Sequence, residues 1–76
     1  MTGIFTDHEV MTSEDVARAV VEIKAIASDD ERAHAKEDEL YAIVMAHIRD
    51  GVCRDPAACC REALKTKEIK FDRHCA

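Results

Sequence analysis

The stretch 28–51, SDDERAHAKEDELYAIVMAHIRDG, decides how this chain folds. It opens on Ser28 with Glu31 three residues on, a capping-box pattern that supplies oxygens to the free N–H groups of a helix start. It closes on Gly51, which readily adopts the left-handed conformation that ends a helix. Between them Ala33, Leu40, Val44 and Ile48 form one apolar stripe, flanked by Tyr41, Met45 and His47. The pattern predicts a helix over about 29–50.

The same helix carries ionisable groups on the side that should be dry. With Leu40 as centre and about 100° per residue, Ala33 lies at about 20°, Val44 at about 40° and Ile48 at about 80°. Glu37 lies inside that arc at about 60°, Asp30 at about 80° and His34 at its edge near about 120°. Glu31 and Asp38 fall further out, at about 160–180°. A lone buried carboxylate costs several kcal/mol unless it is paired, coordinated or protonated. Three resolutions follow. The N-terminal half of the helix projects past its neighbour, so that these groups are wet. Or Glu37 joins a structural network with His34, Tyr41, Lys24 or Arg18. Or Asp30, Glu31, His34, Glu37, Asp38 and Tyr41 form a site for a metal, a ligand or a partner's basic residue.

The metal version has a concrete form. Glu31-Arg-Ala-His34 carries the Glu-x-x-His spacing of di-iron four-helix bundles, which add a carboxylate from a neighbouring helix. A dimer of helical hairpins would bind a divalent metal through Glu31, His34 and Glu37, with Asp38 close by and Glu22 as the extra carboxylate. Glu22 and Glu31 both lie off the apolar stripes of their helices, which weighs against it. No other cofactor is expected.

Upstream, Thr12 with Asp15 three residues on marks the start of a first helix over about 13–27. Val16, Val20, Ile23 and Ala27 form its stripe, widened by Val21 and Ile26. Two one-sided helices in a small domain need each other's apolar faces, so a tight turn at Ser28 is favoured over one long bent helix. Downstream, Asp55 as N-cap and Pro56 at the first helical position start a third helix over about 56–65. Its inward candidates are Cys60, Ala63 and Leu64. The tail is read as a short fourth helix or turn. Residues 1–11 lack periodicity and form an N-terminal arm in which Ile4, Phe5, Val10 and Met11 offer apolar contacts. The expectation is therefore an all-α fold in one domain, 12–76, built on a helical hairpin.

Composition sets further bounds. The chain has 76 residues and a formal net charge of −5. Val, Ile, Leu, Met, Phe and Tyr together number 20, enough for one small core. A core of that size is marginal alone, which makes a homodimer a reasonable expectation. Residues 1–50 hold 5 Lys or Arg against 12 Asp or Glu, whereas residues 51–76 hold 6 against 4. An acidic chain repels nucleic acid and anionic membrane as a whole. Only the C-terminal basic patch of Arg61, Lys65, Lys67, Lys70 and Arg73 invites a DNA-binding reading, and the length of the second helix argues against a helix-turn-helix. No apolar run approaches the roughly 20 residues of a membrane span, and the start lacks the features of a secretion signal. A cytoplasmic location follows, with the cysteines reduced. The spacings of Cys53, Cys59, Cys60 and Cys75 do not suit zinc, so they read as small buried hydrophobes. A Cys53–Cys59 or Cys53–Cys60 disulfide at the third helix start is the alternative. His8 reads as a solvated arm residue and His47 as a satisfied core-edge histidine. There is no phosphate-binding glycine loop and no catalytic triad or other catalytic constellation.

Two stretches, DDERAHAKEDELY and DPAACCREALKTKEIKFDRHCA, together resemble small orphan proteins of actinobacteriophages, mycobacteriophages in particular, and of related actinobacterial prophages. The resemblance runs from about residue 20 to the C-terminus. It rests on Asp29, Asp30, His34, Glu37 and Asp38, on Ala63-Leu64-Lys65-Thr66 and on the ending Cys75-Ala76. His74 departs from the aromatic residue typical of that position. The resemblance implies a phage-encoded accessory protein made inside a bacterial host, and implies no chemistry. The expected function is a non-enzymatic interaction with a host or phage protein. The alternatives are the metal-binding bundle and a small DNA-binding regulator.

Overall fold

Each helix begins where the sequence offers an oxygen to its free N–H groups. The computed structural model describes residues 10–71 and is all-α, with helices α1 (Ser13–Ala25), α2 (Asp30–Arg49) and α3 (Pro56–Leu64) followed by a 3-10 turn, Lys65–Glu68. Thr12 Oγ1 accepts from the Asp15 N–H at 3.3 Å, and Asp15 Oδ2 accepts from the Thr12 N–H at 2.9 Å, so the expected capping box closes in both directions. Asp55 accepts from the Ala58 N–H at 3.1 Å, with Pro56 in the first turn.

The start of α2 differs by one residue from the sequence reading. Asp29, not Ser28, is the N-cap, and its carboxylate accepts from the Arg32 N–H at 3.1 Å. The cause is the tight turn between the helices. Ala27 donates to the Lys24 carbonyl at 3.3 Å and Asp29 to the Ile26 carbonyl at 2.9 Å, so Ser28 is taken up in the turn. The chain does break there, as expected, although α1 ends at Ala25 and not near Ala27.

Met11 makes the apolar contact expected of it. It is 1% exposed, one of the largest fully buried side chains. Its backbone forms an isolated parallel bridge with Cys53, in which Met11 N–H donates to the Val52 carbonyl at 2.8 Å and Arg54 N–H to the Met11 carbonyl at 2.9 Å. The segments entering α1 and α3 thus run side by side, which sets the two helix starts at the same end of the fold. Ile4 and Phe5 lie outside the described residues.

The three helices pack on one another, and the 3-10 turn packs against α1 and α3. The core is Met11, Val16, Ala19, Ile23, Ala33, Leu40, Val44, Cys59 and Ala63, with Val20, Ile26, Tyr41, Ile43, Cys53, Ile69 and Phe71 packed against it. On α3 the buried stripe is Cys59 and Ala63, whereas Cys60 is exposed and Leu64 is 59% exposed. A nine-residue helix has too few positions for its phase to be legible without its neighbours. Val21, at 65% exposure, lies outside the α1 stripe it was expected to widen. Ile48, at the edge of the α2 stripe and in its last turn, is 36% exposed.

Gly51 ends α2 at φ 74, and a Cβ built there meets nothing within 4 Å. Gly51→Ala therefore has only the backbone cost of a left-handed residue, about 1 kcal/mol. Urea denaturation should read that loss. A loss above about 3 kcal/mol would indicate a packing role that this geometry does not contain.

Candidate functional site

Glu37 lies on the buried face of α2, between Ala33 and Leu40, and is only 2% exposed. The wet reading is overturned for this residue. Tyr41, one turn on, donates its hydroxyl proton to Glu37 Oε2 at 3.3 Å. The Tyr41 hydroxyl also meets Thr66 Oγ1, and Thr66 is fully buried. Tyrosine has one hydroxyl proton, so with that proton on Glu37 the Thr66 hydroxyl is the donor to Tyr41. A chain of hydrogen bonds thus runs from the 3-10 turn through Tyr41 to the α2 carboxylate. No buried side-chain polar atom among the described residues lacks a partner.

His34 and Arg18, two other expected network partners, meet acidic neighbours on their own helices. His34 Nδ1 lies 3.7 Å from Asp38 Oδ2, a contact that becomes an ion pair only when the imidazole is protonated. Arg18 meets Asp15 at 3.4 Å. Asp30, Glu31 and Asp38 are exposed. Glu31 and Glu37 occupy different faces of α2, which separates the expected Glu31, His34 and Glu37 ligands. Among the described residues no three His, Cys, Asp or Glu side chains are grouped to hold a metal ion.

Sequence reasoning named Tyr41 as a partner of Glu37 but missed Thr66. Nothing local links positions 25 residues apart.

The basic patch is partly engaged. Lys65 pairs with Glu62 at 3.1 Å, and Lys67 Nζ stands 5.6 Å from the centroid of the Tyr41 ring. Arg61 and Lys70 are exposed, and Arg73 lies outside the described residues. No helix of the described residues is long and apolar enough to cross a membrane. His47 Nδ1 lies 2.8 Å from the Ile43 carbonyl, the satisfied arrangement expected of it.

The outward face of α2 is a second feature. Glu31, Asp38, Ala42, Met45 and Arg49, at spacings of seven, four, three and four, fall on one line, and all are exposed. Met45 is 69% exposed. Arg49 forms a double contact with Asp50, at 2.9 and 3.2 Å, which pulls the Asp50 carboxyl below its ordinary range and raises the guanidinium. The line is therefore acidic at its start, apolar in its middle and internally neutralised at its end.

The cysteines divide by exposure. Cys59 is buried, Cys53 is half-buried and Cys60 is exposed, whereas Cys75 lies outside the described residues. Among the described cysteines, only Cys59 fully matches the buried-hydrophobe reading. Burial, aided by the Cys53 thiol, pushes the Cys59 thiol up to about 12.

No protein-family model matches the chain, and no curated protein or solved structure shows significant similarity to it.

Two outcomes are expected. Glu37→Ala removes the acceptor of the Tyr41 hydroxyl and opens space in the core, at about 3 kcal/mol of stability. Glu37→Gln keeps volume and an acceptor oxygen and should lose distinctly less; equal losses in chemical denaturation would contradict the hydrogen-bond assignment. For Cys59, the folded state holds the thiol proton more tightly than the unfolded chain, whose cysteines titrate near about 8.5. That contribution is complete below about pH 8.5 and is lost as pH rises toward about 12. Over that window the wild type should lose more stability than Cys59→Ala, and parallel curves would refute the shift.

Proposed function

We propose that this chain is a phage-encoded accessory protein that acts inside a bacterial host by docking on a host or phage protein, without catalysis of its own. The observation that carries the docking reading is the outward line of α2. Met45 stands 69% exposed near the C-terminal end of α2, beside exposed Ala42 and one and two heptads from Asp38 and Glu31. A flexible, polarisable side chain with carboxylates on one side of it suits a partner groove that is apolar at its centre and basic at one end. The phage origin is supported by the resemblance of residues 20–76 to small actinobacteriophage proteins.

The size of the core favours an assembled state. Among the described residues, the nine buried apolar ones include three alanines, while Val10, Val21, Met45, Ile48 and Leu64 are exposed. A partner surface, or a second copy in a homodimer, would cover part of this apolar area.

The test is recovery of a stoichiometric partner from a mycobacterial lysate by the tagged full chain, followed by affinity measurement with the purified partner. Met45→Glu should weaken binding about tenfold or more, and Asp38→Lys should weaken it with loss of salt dependence. Val21→Glu, on α1, should leave it unchanged. Light scattering of the chain alone reports whether a second copy is part of the assembly. Failure to recover a partner, or equal binding by Met45→Glu, would overturn the proposal.

A further inference from the structure

The sulfur atoms of Cys53 and Cys59 are already in contact, at 3.2 Å. Their surroundings hold them there. Cys53 lies in the parallel bridge to Met11, fixed by the two backbone hydrogen bonds on either side of it. Cys59 is in the first turns of α3, where its N–H donates to the Asp55 carbonyl at 2.9 Å. Closing a disulfide brings two sulfurs to about 2.05 Å, about 1.2 Å closer than they stand here. Cys60, the next residue, is rotated about 100° round the helix and is exposed.

We propose that Cys53 and Cys59 form a reversible dithiol–disulfide site that takes a peroxide as oxidant. The exposures assign the roles. Half-buried Cys53 is the sulfur that the oxidant reaches, and buried Cys59 resolves the product. The Cys53 thiolate attacks hydrogen peroxide, so that an S–O bond forms, the O–O bond breaks and the departing hydroxide takes a proton to become water. The Cys59 sulfur then attacks the sulfenic sulfur of Cys53. The S–S bond forms, the S–O bond breaks, and hydroxide leaves with the Cys59 proton as a second water. Two thiols lose two electrons and peroxide gains them. The bond would staple the segment entering α3 to its first turns, across the Asp55 cap and beside the Met11 bridge.

The experiment uses the full-length reduced chain with hydrogen peroxide as the probe. After oxidation, free thiols are alkylated under denaturing conditions and the chain is digested with trypsin. The expected product joins DGVCR (50–54) to DPAACCR (55–61), short of two hydrogens in mass, with fragmentation placing the alkyl group on Cys60. Loss of Cys53 and Cys59 from the alkylatable pool, and their return after a thiol reductant, completes the expectation. Cys60→Ser should oxidise as the wild type does. Cys59→Ser should stop at a Cys53 sulfenic acid that dimedone captures. A link through Cys60 or Cys75 would overturn the proposal, as would Cys59 fully alkylated while Cys53 proceeds to sulfinic acid.

Discussion

A buried carboxylate constrains this protein more than any other single group. Glu37 is 2% exposed on the inward face of α2, in a fold whose described residues include nine buried apolar ones. Water cannot compensate for its desolvation, so protein groups must. The Tyr41 hydroxyl contributes from the same helix, one turn away, and is itself oriented by Thr66 from the 3-10 turn. The consequence is a positional requirement. The 3-10 turn must sit where Thr66 reaches Tyr41, and that fixes the end of α3 against α2. Apolar contacts alone tolerate sliding; a hydrogen-bonded chain of three side chains does not, because displacement leaves buried polar atoms unmatched.

At the other end of α3 a second polar device does comparable work with backbone groups. The Met11–Cys53 bridge ties the segment before α1 to the segment before α3, and it buries Met11 beneath them. The two cysteine sulfurs meet immediately beside this bridge. The helices are therefore registered at both ends of α3, by backbone pairing at its start and by the Tyr41–Thr66 contact just after its end. This leaves the outward face of α2 exposed, with Met45, Glu31 and Asp38 away from the core.

What the sequence made legible was local. Thr12 with Asp15, Asp55 with Pro56, and Gly51 each mark a helix boundary through chemistry complete within four residues, and all three stand where that chemistry puts them. The helical angle of Glu37 also anticipated its burial as one of three readings, since a position inside the apolar arc faces the core whatever its charge. The parts that were not legible depend on distant segments. The phase of α3, which buries Cys59 and not Cys60, is chosen by the surfaces it packs on. Met11 carried no periodic signal, because a single bridge residue has none. Asp29 displaced Ser28 as the cap of α2 because Ser28 lies in the turn after α1, which closes through the Asp29 N–H on the Ile26 carbonyl. The Thr66 contact joins positions whose separation in the chain carries no pattern.

The central claim is that the hydrogen-bonded chain through Tyr41 couples the 3-10 turn to α2. The most direct measurement is a double-mutant cycle on Tyr41→Phe and Thr66→Val, with stability read by urea denaturation for the wild type, both single variants and the double variant. Coupling of about 1 kcal/mol or more between the two positions is the result this account predicts. Losses that add within about 0.5 kcal/mol would contradict it, and would leave Glu37 held by something other than this chain.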